Sequence, residues 1–277
     1  MNEPGIGSDR YDFAVGVIGG PTAVIDYAGL RIVTDPTFDP PGDYGAYRKL
    51  SAPAVDAADL GAVDVVLLSH DDHADNLDAA GRQFATAAPV LLTGPRAAGR
   101  LGGNAHGLAT FETFSFADRG SDLIVHAVPA QHGPSDGVRD NNGDINAEVT
   151  GFVLQAPSWP TVYVSGDNAS IAPVVQISNV FSSVDVAVLH AGAGRVPAKF
   201  DGRALTLTAE RAADVAQLLG ASHVVPVHCE GWSLYSQSPD DVRNAFEDTG
   251  IVDRLRYAPP GAWAIRGLAT VSRSAEN

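Results

Sequence analysis

Residues 63–78, VDVVLLSHDDHADNLD, change character at their midpoint. Val63, Val65, Val66, Leu67 and Leu68 make an apolar run of β-formers that ends at Ser69, the pattern of a buried strand. His70, Asp71, Asp72, His73, Asp75 and Asn76 follow within seven residues, and Leu77-Asp78-Ala79-Ala80 opens a helix. A buried strand that delivers imidazoles and carboxylates to a strand-to-helix loop suits a divalent metal, which needs N and O donors aimed at one centre. The same loop also reads as a solvated acidic turn with an Asp or Asn N-cap. The other histidines have to discriminate.

Working outward, 12–18 reads as a strand broken by Gly19-Gly20-Pro21, and 22–27 with 30–34 as a hairpin turned at Ala28-Gly29. Residues 36–49 form a Pro/Gly/aromatic loop of the kind that lies over a site. Downstream, helices are expected at 77–87, 95–101, 171–178, 208–219 and 239–249, with strands at 90–93, 109–116, 122–128, 151–155, 161–165, 184–189 and 223–227. The polar segment 134–148 is expected to be mobile or to cover a site. No linker or repeat interrupts the pattern, so 1–277 is expected to be a single domain, with residues 1–11 a flexible N-terminus. Two mixed sheets packed face to face with outer helices bury this many β-runs economically, an α/β sandwich.

Composition narrows the function. A net charge of -15 disfavours nucleic acid as a partner, because a phosphate backbone wants a basic face. The lone Cys229 rules out an intrachain disulfide and a multi-cysteine zinc site. The first residues carry neither a basic n-region nor an apolar h-region, and no apolar run approaches the ~20 residues that span a membrane. A cytoplasmic protein is expected, its partner a small-molecule substrate, with a homo-oligomer allowed and neither nucleic acid nor membrane involved.

Three histidines outside the opening stretch also lie just past apolar β-runs: His132 in VHAVPAQHG, His190 in VDVAVLHAG and His228 in HVVPVHCEGW. Asp167 in VYVSGDN does the same. One such histidine is ordinary; several matter, because strand ends in a layered fold gather on one rim. His126 and His223 read as structural, and His106 sits in a Gly/Asn loop.

These pieces, with VIDYAGLRIVTDPTF at 24–38 and LTLTAERAADVAQLLGASHVVPVH at 205–228, resemble the metallo-β-lactamase fold superfamily over nearly the full length. More narrowly they are similar to its L-ascorbate-6-phosphate lactonase-like branch. The resemblance implies a four-layer αββα sandwich and a metal-dependent hydrolase. The superfamily pattern His-x-His-x-Asp-His is altered here. Asn76 stands where the last histidine would be, Asp75 matches the aspartate, and one residue is inserted between His70 and His73. Either Asp72 stands at the usual second-ligand spacing or His73 takes that role through a tighter turn; His70 with His73 is the preferred reading. The resemblance implies that His132 completes a first site, that Asp167 bridges, and that His228 with Asp75 forms a second, which Asn76 weakens.

The metal ligands expected are therefore His70, His73, Asp75, His132, Asp167 and His228, with Asp72 as the alternative to His73. Asp75, Asp167 and Asn76 are the expected catalytic residues; His190, Glu230, Trp232 and Arg195 are candidates for the surrounding shell or the substrate. Lys199 and Arg203, with Arg195, are cations placed to meet a carboxylate or phosphate. The cofactor expected is a divalent metal, one ion or two, zinc first and manganese or iron next given the carboxylate share. A divalent ion lowers the pKa of a bound water toward ~7 and polarises a carbonyl or phosphoryl oxygen. Hydrolysis of a small ester, lactone or phosphoester is thus the natural reaction. An iron or manganese redox or tailoring enzyme, or a non-catalytic ligand-binding relative with a degenerate site, are the alternatives.

Overall fold

The computed structural model describes residues 5–139 and 145–268. The first half of the chain builds one sheet. It comprises β1 (Phe13–Gly19), β2 (Thr22–Tyr27) and β3 (Leu30–Thr34), a small outlying ribbon of β4 (Gly42–Asp43) and β5 (Arg48–Lys49), then β6 (Val65–Leu67), β7 (Val90–Thr93) and β8 (Ala105–Gly107). The second half builds another from β9 (Thr113–Ser115), β10 (Ile124–Pro129), β11 (Thr150–Gln155), β12 (Val162–Val164), β13 (Val186–His190) and β14 (His223–Val227), before β15 (Ala262–Arg266) returns to the first. The sheet orders are β15-β1-β2-β3-β6-β7-β8 and β14-β13-β12-β11-β10-β9. Each is antiparallel on one side and parallel on the other: β3, β6, β7 and β8 run parallel in the first, and β12, β13 and β14 in the second.

Strand alternation explains the continuous apolar runs, because both faces of each sheet are covered. Val65 and Leu67 point into the core between the sheets, with Val162, Val164, Val186, Val188, Val225 and Val227 opposite. Val66 and Leu68 point the other way, onto a cluster shared with Leu77 and Ala85. Tyr163, Ala187 and Leu189 likewise face outward, onto α3 (Ile171–Val180), α4 (Ala209–Leu218) and α5 (Pro239–Asp248). The first sheet carries α1 (Ala79–Ala87) and α2 (Pro95–Leu101). This is the expected αββα sandwich.

Local chemistry sets the boundaries. The β2–β3 turn places Ala28 at φ 48° and Gly29 at φ 81°, the paired positive φ of a tight hairpin. Asp78 caps α1 by accepting from Gly81 N at 2.8 Å, so the helix starts two residues later than the apolar pattern suggests. Thr208 caps α4, and Ser238 with Asp241 forms a capping box on α5. Four strands are additions to the sequence reading: the short pair β4 and β5 inside the 36–49 loop, β8, where His106 was expected in a loop, and β15.

The N-terminus needs a correction. Residues 1–4 lie outside the described residues, but the segment expected to be flexible is packed from Ile6 onward. Ile6 is buried, and the guanidinium of Arg31 donates to the carbonyls of Gly7 at 2.6 Å and Asp9 at 2.5 Å.

Candidate metal centre

The parallel strands β3, β6, β12, β13 and β14, with β10, end at one rim of the sandwich, and the groups that follow them converge there. His70 follows β6, His132 follows β10, Asp167 follows β12, His190 ends β13 and His228 follows β14. Sequence analysis used this geometry for histidines but overlooked its other product, Asp35, which directly follows β3. Asp35 is fully buried and anchors the rim by accepting from Ser69 N at 2.7 Å. Asp35 (φ 37°) and His228 (φ 58°) hold left-handed backbone, a conformation that costs of order 1–3 kcal/mol and collects at functional sites. Backbone bonds fix both: Asp35 N donates to Leu67 O at 3.0 Å and His228 N to Gly20 O at 2.7 Å. Gly192 lets the neighbouring loop pass, since a Cβ there would stand 2.0 Å from the His228 carbonyl.

Two groups of donors result. In the first, His70 Nε2 lies 2.8 Å from His73 Nδ1, and His132 Nε2 lies 3.1 Å from the same atom. A tetrahedral zinc with Zn–N near 2.0–2.1 Å separates its ligands by about 3.3 Å, so these spacings are those of a ligand set. The outward nitrogens are occupied. His132 donates Nδ1–H to the Leu205 carbonyl at 2.8 Å, leaving Nε2 a bare acceptor, and His70 Nδ1 meets Ser69 Oγ at 2.9 Å. Burial pushes the pKa values of all three down, His70 well below its ordinary value, His132 below it, and His73 to about 4, where a charge on His132 adds to the effect. Three imidazoles whose ring nitrogens converge on one point fit a divalent cation.

The two readings of the loop part here. Asp72 is exposed and pairs with Arg100 at 2.9 Å, and Asp71 pairs with the same guanidinium. His73 points inward, and the chain turns directly after it, its carbonyl accepting from both Asn76 N and Leu77 N. His73 stands in the cluster; Asp72 does not.

In the second group, Asp167 Oδ1 lies 2.9 Å from His190 Nδ1 and 3.3 Å from His228 Nε2, and Asp75 Oδ2 lies 3.2 Å from His228 Nε2. His190 and His228 stack at 5.0 Å with an interplanar angle of 15°. Burial works to raise the carboxyl pKa of Asp167, but the imidazoles of His228, His190, His132 and His70 hold it well below the usual range. Asn76 is buried and turns its Nδ2 to Asp167 Oδ1 at 3.2 Å. Its Oδ1 has no hydrogen-bond partner among the described residues.

A cavity of about 170 Å³ opens onto both groups, with His73, Asp75, His132, Asp167 and His228 on its floor. Ala46, Tyr47, Val196, Leu205 and Leu234 supply apolar walls. It adjoins a wider vestibule of about 680 Å³, and Asn146 and Lys199 line both. Lys199 Nζ lies 3.3 Å from His73 Nε2 and 2.6 Å from Asn146 Oδ1. Ala147 bridges to His132 in an antiparallel pair, so the described end of the polar segment does lie over the site.

Other expected residues stand apart. Arg195 is exposed and bonded to Ser236 and the Gly202 carbonyl, away from the cavity. Arg203 pairs with Asp136 at 2.8 Å. Trp232 is buried behind the wall, with ring centroids 5.1 Å from Tyr44 and 5.9 Å from Tyr47, and holds the aromatic loop in place. Glu230 is half-buried and does not line the cavity. Tyr47, whose hydroxyl meets Asp75, was foreseen only as part of a loop.

A family described as the β-lactamase superfamily domain matches residues 30–229. A metal-dependent hydrolase of the UPF0173 group from Pelotomaculum thermopropionicum is 28% identical over 188 residues, 66% of this chain and 75% of its own. An isothiocyanate hydrolase from Delia radicum gut bacteria superposes with a TM-score of 0.78 at 23% identity, over 93% of this chain and 99% of its own. A diiron β-hydroxylase from Streptomyces venezuelae shares the fold at a TM-score of 0.61 and 16% identity, over 88% of this chain and 51% of its own.

Proposed function

The chain belongs to the β-lactamase superfamily, and from that premise we propose that it is a metal-dependent hydrolase of small, uncharged acyl compounds, a carbon ester or lactone. The observation that carries the reading is the convergence of His70, His73 and His132 beside an apolar-walled cavity that His73 and His132 line. When bound, a divalent ion there would acidify water and polarise a carbonyl. Asp75, lining that cavity and held by Tyr47 and His228, accepts the proton of the attacking water. Asp167 joins the two donor groups, and Asn76 fixes its carboxylate by donating to Oδ1. Lys199, at the junction of the two cavities, donates to the oxygen that gains charge as the acyl carbon is attacked.

Substrate charge is argued from the vestibule. Three of the five cations that line it are neutralised by neighbours, Arg100 by Asp71 and Asp72, Arg203 by Asp136, and Arg96 by Glu148; Arg139 and Lys199 also line it. Paired guanidinia recognise an anionic phosphoester poorly, and the inner walls favour an apolar acyl group.

Metal analysis of the purified chain, followed by assays on a panel of small carbon esters, lactones and phosphoesters, tests this. At least one transition-metal equivalent is expected, with ester or lactone turnover that a chelator removes and zinc or manganese restores. Less than about 0.2 equivalents, with none regained on incubation, would end the hydrolase reading. Phosphoesters outperforming carbon esters would overturn the substrate class alone. Bound iron with dioxygen consumption and no hydrolysis would favour the redox alternative.

A further inference from the structure

Resting on the metal-dependent reading above, we infer that His190 is a ligand to a second metal ion, completing with Asp75, Asp167 and His228 a seat to which Asn76 contributes no donor. The spacings within this group are 2.9 Å (His190 Nδ1 to Asp167 Oδ1), 3.3 Å (Asp167 Oδ1 to His228 Nε2) and 3.2 Å (His228 Nε2 to Asp75 Oδ2). They lie at or within about 0.4 Å below the roughly 3.3 Å edge of a tetrahedral ligand set, and those of the first group lie within about 0.5 Å below it. All four residues are buried, so none of these donors finds bulk water.

The far side of the His190 ring carries the second half of the argument. Its Nε2 has no hydrogen-bond partner among the described residues, yet Asp35 Oδ2 stands 3.6 Å away. Coordination through Nδ1 leaves the ring proton on Nε2, facing that carboxylate. Carboxylate, imidazole and metal in line is the arrangement that fixes a ligating histidine's tautomer and raises its basicity. It also gives the buried Asp35 side chain a task that strand packing does not. Asn76 is oriented the opposite way: its amide nitrogen, which cannot bind a cation, faces Asp167, and its oxygen does not. Two carboxylates and two imidazoles balance a divalent charge, whereas the first group offers imidazoles alone. The two seats therefore differ in preference, the second being the more tolerant of manganese or iron.

The alternative is that His190 only positions Asp167 through an Nδ1–H bond. His190→Asn separates the two roles, because the amide can keep that bond but is a poor metal ligand. Full-length protein stripped with chelator is titrated with zinc and with cobalt, read by metal analysis after desalting and by cobalt absorption. Wild type is expected to take two equivalents. His190→Asn should hold one, or bind the second at least about 100-fold more weakly, with an unchanged melting curve in the stripped state. Asn76→Ala should keep both. The inference is overturned if His190→Asn and His190→Ala both retain two equivalents at wild-type affinity, if Asn76→Ala is the variant that releases the second ion, or if wild type takes only one. That last result leaves the hydrolase reading standing; a wild type that binds none removes both.

Discussion

At the residue scale the informative contrast is His73 against Asp72, adjacent side chains with opposite fates. Spacing alone left both open, because two residues apart suits an extended loop and three apart a helical one. The ring contacts of His73 with His70 and His132, and the pairing of Asp72 with Arg100, separate the two, and a loop this short is below what hydrophobic periodicity reports. His73→Ala should lose the first ion and hydrolysis together. Asp72→Ala should keep both and change stability by no more than about 1 kcal/mol, since an exposed ion pair contributes little. Metal analysis and urea titration of the pair check this, and equal losses in the two variants would contradict the assignment. The depressed imidazoles also make the metal-free protein acid-sensitive. His73 has its pKa lowered from 6.5 to about 4, so the unfolded chain takes up the proton first as pH falls. Stability that is full above pH 6.5 is lost as pH drops through 4, by about 3 kcal/mol at most from this group. Urea midpoints of the stripped protein should fall across that window, and less steeply in His73→Asn; parallel slopes would refute the contribution.

At the element scale, strand ends were legible because buried parallel strands announce themselves as unbroken apolar runs. VVLLS, VAVLH and VVPVH each delivered its polar residue to the rim as expected. Asp35 obeyed the same rule after β3 but was hidden, because Asp-Pro also reads as a plain turn. The edge strands β8 and β15 escaped for a different reason. Ala105–Gly107 is three residues with little burial, and Ala262–Arg266 is half-exposed, so neither carries a core pattern. Asp78, which in sequence reads as part of the helix start, is both the cap of α1 and the tie between α1 and the aromatic loop. It accepts from Gly81 N, from Phe38 N at 3.0 Å, from Asp39 N at 2.8 Å and from the buried Lys49 ammonium at 2.8 Å. Removing it strands a buried cation and frees the loop that carries Tyr47. Asp78→Ala should therefore cost about 3–5 kcal/mol in urea unfolding. A loss below about 1 kcal/mol, the ordinary worth of a cap, would show that the loop is held by other contacts.

At the scale of the whole molecule, the two ends of the described chain meet in one sheet. β15 lies beside β1, and the segment before β1 folds back across the outer face of that sheet. What fastens it is Arg31, fully buried at the opposite end of β3 from Asp35. Its guanidinium forms a two-oxygen pair with Asp26 at 2.8 Å and donates outward to the carbonyls of Gly7, Asp9 and Leu60. A Gly/Pro-bearing acidic terminus looks frayed in sequence, because nothing local shows that a strand arginine 22 to 24 residues further along the chain needs its carbonyls. Deleting residues 1–11 removes two acceptors from a buried cation and uncovers the site of Ile6, whose side chain reaches the backbone of Gly16 and the Trp263 ring. Burial of an isoleucine contributes about 1.5–3 kcal/mol, and a hydrogen bond to a charged group a similar amount. The truncation should lower unfolding free energy by roughly 4–9 kcal/mol on those terms. Metal content and turnover, measured well below the lowered melting temperature, should stay at wild-type values because the rim is built from the other ends of the strands. A truncated protein that melts like the full chain would mean that the Arg31 contacts contribute nothing net. One that keeps its fold but loses metal would mean that the terminus reaches the site, which the strand directions rule against.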